Sequence, residues 1–244
     1  MFRHQGKSRT VKHNLQIATV LSFVAGIVNV SGYLAFKQLT TNVTGHFALF
    51  IYDVSNLNFW IGTIYFLYIF SFLIGSFVSS LLIEKFKESK TLNVFVIPTI
   101  IEVFILIGIA IFSNFYELLY PNIIICLLLF AMGIQNSFVT TISNAIVRTT
   151  HLTGLFTDLG IDLSQLFFPK SYPQRKKLKA NIKLRISIIA FFFIGGLIGG
   201  YLFAKWDWQL NTLFLAAAIL LISLFYSDFK YQYLQSKRKY QQRN

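Results

Sequence analysis

A single acid lies deep in an apolar stretch of this chain: Glu102, about ten residues into the run 92–113. An ionised carboxylate facing hydrocarbon costs about 3 kcal/mol or more, so the group must be neutral, paired or turned into a wet cavity. Two roles are open to it. One is proton or cation coupling, or contact with a substrate; the other is a protonated acid bonded to a neighbouring helix, for example to a carbonyl freed by Pro98. Three amides sit in two other apolar runs, Asn29 in the first and Gln135 with Asn136 in the fourth. Such amides either make interhelical bonds of about 1 kcal/mol or line a cavity. A third feature occurs twice. Thr44-Gly45-His46 and Thr153-Gly154 read as helix starts, where a hydroxyl caps free amides and glycine permits close backbone approach. The positive end of such a helix also suits an anionic group. His46 adds a side chain that titrates near neutral pH.

Other polar positions read as structural. Asp53, Asp158 and Asp162 fall toward the ends of the short helices that follow the Thr-Gly motifs, where the helix dipole disfavours negative charge. A cap or a nearby Lys or Arg is expected, and Asp158 and Asp162, four apart, repel without a cation. Gly75 with Ser79, and Gly195 with Gly199, form small-xxx-small faces for close helix packing. The lone Cys126 permits no disulfide within the chain and no thiolate metal site, so neither metal nor cofactor is expected. Neither His-Glu-x-x-His nor Gly-x-Ser-x-Gly occurs, and the expectation is that the protein is not an enzyme.

The elements that hold these groups follow from composition. Charged residues make up 13% of the chain and hydrophobic ones 55%, with a mean hydropathy of +0.60. A soluble domain usually carries about 25% charge, so lipid is the solvent for most of this surface. The net charge of +13 gathers in blocks between apolar runs, which suits anionic lipid headgroups and excludes nucleic acid as a partner. A helix needs about 20 apolar residues to cross a bilayer. Six stretches qualify: 14–36, 58–83, 92–113, 120–147, 183–204 and 209–227. The first is too long for a signal-peptide core of about 7–15 residues and reads as a retained span.

Basic residues set the orientation. With the N-terminus inside, cytoplasmic segments hold Arg3, Lys7, Arg9 and Lys12, then Lys85, Lys87 and Lys90. A third holds Arg148, Lys170, Arg175, Lys176, Lys177, Lys179, Lys183 and Arg185, and the tail Lys230, Lys237, Arg238, Lys239 and Arg243. Of the 22 Lys and Arg, only Lys37 and Lys205 remain outside. The chain then divides into a basic cytoplasmic N-terminus (1–13), a first membrane unit (14–113), a second (114–227, with a basic cytoplasmic loop 163–185) and a basic tail (228–244).

The two membrane units resemble each other. Thr40, Thr41, Thr44, Gly45, Phe47 and Asp53 match Thr149, Thr150, Thr153, Gly154, Phe156 and Asp162 at a constant offset of 109. Upstream, Gly26-Ile27-Val28-Asn29 matches Gly133-Ile134-Gln135-Asn136. Downstream, Phe72-Leu73-Ile74-Gly75 matches Phe192-Phe193-Ile194-Gly195. Three spans per unit is an odd number, so the second copy is expected upside down. The fold predicted is all-α: a polytopic membrane protein of six spans in two inverted three-helix repeats, each with a short Thr-Gly-started helix after its first span.

These same motifs resemble the YoaK-like bacterial membrane family: the Gly-x-x-Asx first helix, the Thr-Gly motif, the Gln-Asn pair of the fourth helix and the second Thr-Thr-x-x-Thr-Gly. The resemblance covers about 14–227 and implies a six-span inner-membrane protein with no assigned activity. It departs at Asn29, where the family usually has Asp, and at His46 and Leu155, where Asn usually follows Thr-Gly.

The function expected is a small-molecule permease working by alternating access between inverted repeats around Asn29, Glu102 and Asn136, in the plasma (inner) membrane with both termini cytoplasmic. The alternative is a non-transporting scaffold or regulator acting through the basic loops. Either can be a homo-oligomer.

Overall fold

The computed structural model describes residues 10–86, 95–115, 120–143, 145–168 and 174–241. Every regular element among them is helical: α1 (Val11–Phe36), α2 (Val43–Ser55), α3 (Phe59–Phe86), α4 (Val96–Phe115), α5 (Pro121–Ile142), α6 (Leu152–Gln165), α7 (Arg175–Lys205), a 3-10 turn (Gln209–Asn211) and α8 (Thr212–Gln241). Six of these, α1, α3, α4, α5, α7 and α8, are long and apolar enough to cross a membrane. Helices α2 and α6 have 13 and 14 residues; at 1.5 Å per residue they reach about 20 Å, short of the roughly 30 Å core.

Three boundaries differ from those read off hydropathy. The fourth span ends at Ile142 rather than 147. There the backbone leaves the helix: Ala145 has φ 61 and the Ser143 hydroxyl accepts the Val147 amide at 3.0 Å. Apolar side chains continue through that turn, so hydropathy alone overruns it. The fifth span begins eight residues before 183, because Arg175–Lys183 is the first part of α7 rather than loop. Hydropathy reports the solvent, and Lys, Arg, Leu and Ala are good helix formers in water. The tail is also helical, continuing α8 to Gln241. Arg3, Lys7, Arg9, Lys87, Lys90, Lys170, Arg243 and the first residues of the stretch 92–113 lie outside the described residues.

Burial sorts the spans into layers. In α1 and α5, 61% of the apolar stretch is buried inside the protein, against 39% for α4 and α8, 22% for α3 and 17% for α7. So α1 and α5 form the centre, and α3 and α7 present most of their surface to the surroundings. Helix α1 packs chiefly on α7, α3 on α5, and α4 on α8. Glycines permit the first two contacts. A Cβ on Gly26 would fall on the Phe192 carbonyl and one on Gly195 on the Phe23 carbonyl; in the other pair, Gly133 meets Phe72 and Gly75 meets Phe130 in the same way. Contacts advance together along both chains, Phe23 with Gly195 and Ile27 with Gly199, so α1 and α7 run parallel. Tyr68 with Asn122 and Ser76 with Gly133 show the same for α3 and α5.

Candidate functional site

The centre of the bundle is tied by one amide. Gln135 on α5 donates to the Leu21 carbonyl of α1 at 2.9 Å and to the Thr149 hydroxyl at 3.2 Å. Its own carbonyl oxygen, like the adjoining Ser22 hydroxyl, is buried without a partner among the described residues.

On either side of this tie lies an Asn–Thr pair. The Thr41 hydroxyl donates to Asn29 Oδ1 at 2.9 Å, and the Thr150 hydroxyl donates to Asn136 Oδ1 at the same 2.9 Å. Each pair fastens the non-helical segment after α1 or α5 back onto the helix it has just left. Thr40 reinforces the first through the Val28 carbonyl at 3.1 Å, and Gln135 reinforces the second through Thr149. These two nodes are not one site. Asn136 adjoins Gln135, which meets Leu21, whereas Asn29 lies eight residues farther along α1, about 12 Å at helical rise. The single polar centre expected for Asn29 and Asn136 is therefore divided in two.

Glu102 stands apart from both nodes. It is wholly buried in α4, and neither carboxyl oxygen has a hydrogen-bond partner among the described residues. The bond to a carbonyl freed by Pro98 is not made. Helix α4, which carries Glu102, packs on α8 and α5. Beyond Glu102, Ile105, Gly108, Ile109 and Phe112 of α4 face Tyr120, which caps α5, and Ile123 and Leu127 of α5 across an apolar cleft of about 310 Å³.

The short helices dock by different chemistry. On α2, Asn42 rather than Thr44 is the cap, accepting the Gly45 amide at 3.1 Å. Thr44 is exposed, as are Thr153 and Gly154 on α6, where His151 precedes the helix without a side-chain cap bond. The threonine caps read from the motifs are thus absent, because each Thr falls one residue inside its helix. His46 is buried against α3, its ring 5.1 Å from Tyr68 and 6.1 Å from Tyr65. Its Nε2 donates to the Leu39 carbonyl at 2.7 Å, which leaves Nδ1 a bare acceptor, buried and without a partner among the described residues. Burial pushes this imidazole below its usual range, against a smaller upward pull from the Leu39 bond. On the α6 side, Arg185 of α7 pairs with the mostly buried Asp162 and lies 3.4 Å from the exposed Asp158. Asp53 is buried at the end of α2, where its backbone carbonyl accepts the amides of Asn56 and Asn58. Ser79 and Gly199 sit in the packed faces beside Gly75 and Gly195, Ser79 with its hydroxyl unpartnered.

Sequence reasoning singled out the amides and passed over what holds them, Thr41 and Thr150, and also Arg185 and the Tyr65–Tyr68 pair. The signal existed for the threonines, which belong to the constant-offset match. For the tyrosines none did, since nothing local distinguishes them from aromatics of a lipid-facing helix.

Comparison with known proteins adds identity without activity. Residues 17–226 match the family described as a protein of unknown function, DUF1275. The UPF0700 transmembrane protein YoaK of Bacillus subtilis (strain 168) is 30% identical over 192 residues, covering 75% of this chain and 80% of that protein. No solved structure matches.

Proposed function

The chain belongs to the DUF1275 family and is a membrane protein, and we propose that it is a proton- or cation-linked small-molecule permease, not an enzyme. The observation that carries this reading is Glu102, a wholly buried acid with both oxygens unpartnered inside a spanning helix. A carboxyl buried without a partner costs about 1–3 kcal/mol or more of stability. Retaining it makes sense if a proton, a cation or a substrate group occupies it during a cycle.

The framework supports the cycle. We read residues 14–113 and 114–227 as inverted repeats, and the matched contacts argue for it: Gly26 with Phe192 answers Gly133 with Phe72, and Thr41–Asn29 answers Thr150–Asn136. Parallel packing of α1 with α7 and of α3 with α5 suits six alternating spans. In this reading the two Asn–Thr nodes close opposite ends, and releasing one at a time opens Glu102 to one side only. The distribution of basic residues supports a plasma-membrane protein with both termini in the cytoplasm.

Thermal stability of the purified chain, screened over metabolites and pH, tests the binding half. A stabilising ligand whose effect disappears in Glu102→Gln is expected; a flat screen returns the protein to the scaffold reading. Inversion is tested by single cysteines at Thr44 and Thr153, both exposed, on a Cys126→Ala background. They must label from opposite sides of intact cells. The buried positions His46 and Leu155 are unsuited to that experiment.

A further inference from the structure

The corner where α6 meets the foot of α7 carries a charge that no part of the proposed cycle uses. Helix α7 has 31 residues, about 46 Å at helical rise, so roughly 16 Å of it extends past a 30 Å hydrocarbon core. Cations load one end. Arg175, Lys176, Lys177, Lys179 and Lys183 are exposed, while Leu178, Ile182 and Leu184 between them are buried. None of these five cations forms an ion pair with a described residue, and no Asp or Glu occurs between Asp162 and Asp207. Arg185 is different, since Asp158 and Asp162 neutralise it. In the turn just past the end of α6, Phe167 and Phe168 are 82% and 62% exposed. Aromatic rings beside a lysine cluster at the foot of a span fit a headgroup layer, with rings toward the acyl chains and ammonium groups at the phosphates.

We propose that this corner is a binding surface for anionic phospholipid headgroups, which it draws from the surrounding leaflet. Charge complementarity chooses the partner: five exposed cations with no ion pair among the described residues, and no acid between Asp162 and Asp207, favour an anionic phospholipid over a zwitterionic one. The corresponding corner between α2 and α3 supports the assignment by contrast. It exposes Phe59 and Trp60 but has no charged residue from Val54 to Ile83. The inference stands independently of transport.

The test is native mass spectrometry of the full chain released from nanodiscs of equimolar phosphatidylglycerol and phosphatidylcholine. Wild type is expected to retain phosphatidylglycerol several-fold over phosphatidylcholine. Replacing Lys176, Lys177, Lys179 and Lys183 by Gln lowers that preference at least threefold, whereas replacing all four by Arg keeps it. An unchanged preference in the Gln variant overturns the proposal, because the other basic segments then hold the lipid. Loss of the preference on adding inorganic phosphate at millimolar concentration also overturns it, pointing to a free-anion site. Should the Gln variant fail to insert, a phosphatidylglycerol analogue with a photoreactive headgroup decides the matter in wild type. Crosslinks within 163–183 support the surface, and crosslinks confined to other segments sink it.

Discussion

The α2–α3 and α6–α7 corners share a plan and differ in chemistry. In both, a short helix follows an Asn–Thr node and lies against the span that comes next. In both, the residue after Thr-Gly, His46 or Leu155, is buried. Ten residues before the packing glycines Gly75 and Gly195 stand Tyr65 and Arg185, and there the likeness ends. One corner closes with three rings and a single histidine bond to a carbonyl. The other closes with a guanidinium between two carboxylates. The backbone scaffold tolerates either solution because the contacts that fix it lie elsewhere, in the glycine faces and the Asn–Thr nodes. The docking chemistry follows the cations at hand: the ionic corner adjoins the cation-rich foot of α7, and the aromatic corner, which holds Asp53, has no Lys or Arg between Lys37 and Lys85.

If the scaffold is shared, damage to it must be equal in both halves. Ala at Gly26 or at Gly133 puts a Cβ on a backbone carbonyl that cannot move away cheaply. Each substitution is expected to cost about 3 kcal/mol, the upper part of the range for overpacking, read as loss of thermal stability in detergent. Ala at Gly108, Gly154 or Gly160, where no atom lies within 4 Å, is expected to cost nothing measurable. A large loss at Gly26 with none at Gly133 breaks the equivalence.

Arg185→Gln sharpens the contrast. It strands Asp162, which is 11% exposed at its side chain. Removing one member of a deeply buried pair costs about 3–5 kcal/mol, and an exposed pair about 1 or less. This partly buried case is expected near 2 kcal/mol, localised to α6. Hydrogen exchange should speed along Leu152–Gln165 and stay unchanged along Val43–Ser55. Equal acceleration in both helices would mean the corners are not separately closed.

How much of this was legible in sequence divides along the same line. Six spans were readable because lipid contact imposes a length and a composition. The likeness of the two halves was readable because Gly26, Gly133, Gly75 and Gly195 each admit a backbone carbonyl, a demand that leaves a mark in residue type. Helix ends were not, since apolar residues continue through the turn at Ser143 and charged ones through the start of α7. The separation of Asn29 from Asn136 was not legible, because a match in residue type and offset carries no distance between the matched positions. The clamp of Arg185 on Asp162 spans 23 residues of sequence, and the need for a cation near Asp158 and Asp162 could be stated without naming which.

The nodes themselves predict a smaller, matched effect. Thr41→Val and Thr150→Val each remove a hydroxyl donor at 2.9 Å from an Asn oxygen. Each is expected to cost about 1 kcal/mol, the usual net size of a side-chain hydrogen bond. With Asn29→Ala or Asn136→Ala, each forms a double-mutant cycle whose coupling energies should agree. Coupling in one cycle alone would show that only one break is fastened by its threonine.

The smallest effect separates the corners by pH. Burial holds the His46 imidazole below its usual value of 6.5 while α2 is docked. An undocked α2 exposes the ring and restores that value, so the undocked state takes up a proton first. Docking is therefore strongest above pH 6.5 and weakens as pH falls through it, until the docked histidine itself titrates at lower pH. Hydrogen exchange along Val43–Ser55, corrected for its intrinsic pH dependence, should show protection falling in that window. His46→Phe keeps a ring against Tyr65 and Tyr68 and should flatten the profile. Helix α6, whose clamp contains no histidine, should stay level from pH 7.5 to 5.5. A parallel loss in α6, or a slope that survives in His46→Phe, would trace the sensitivity to the shared scaffold and remove His46 as its source.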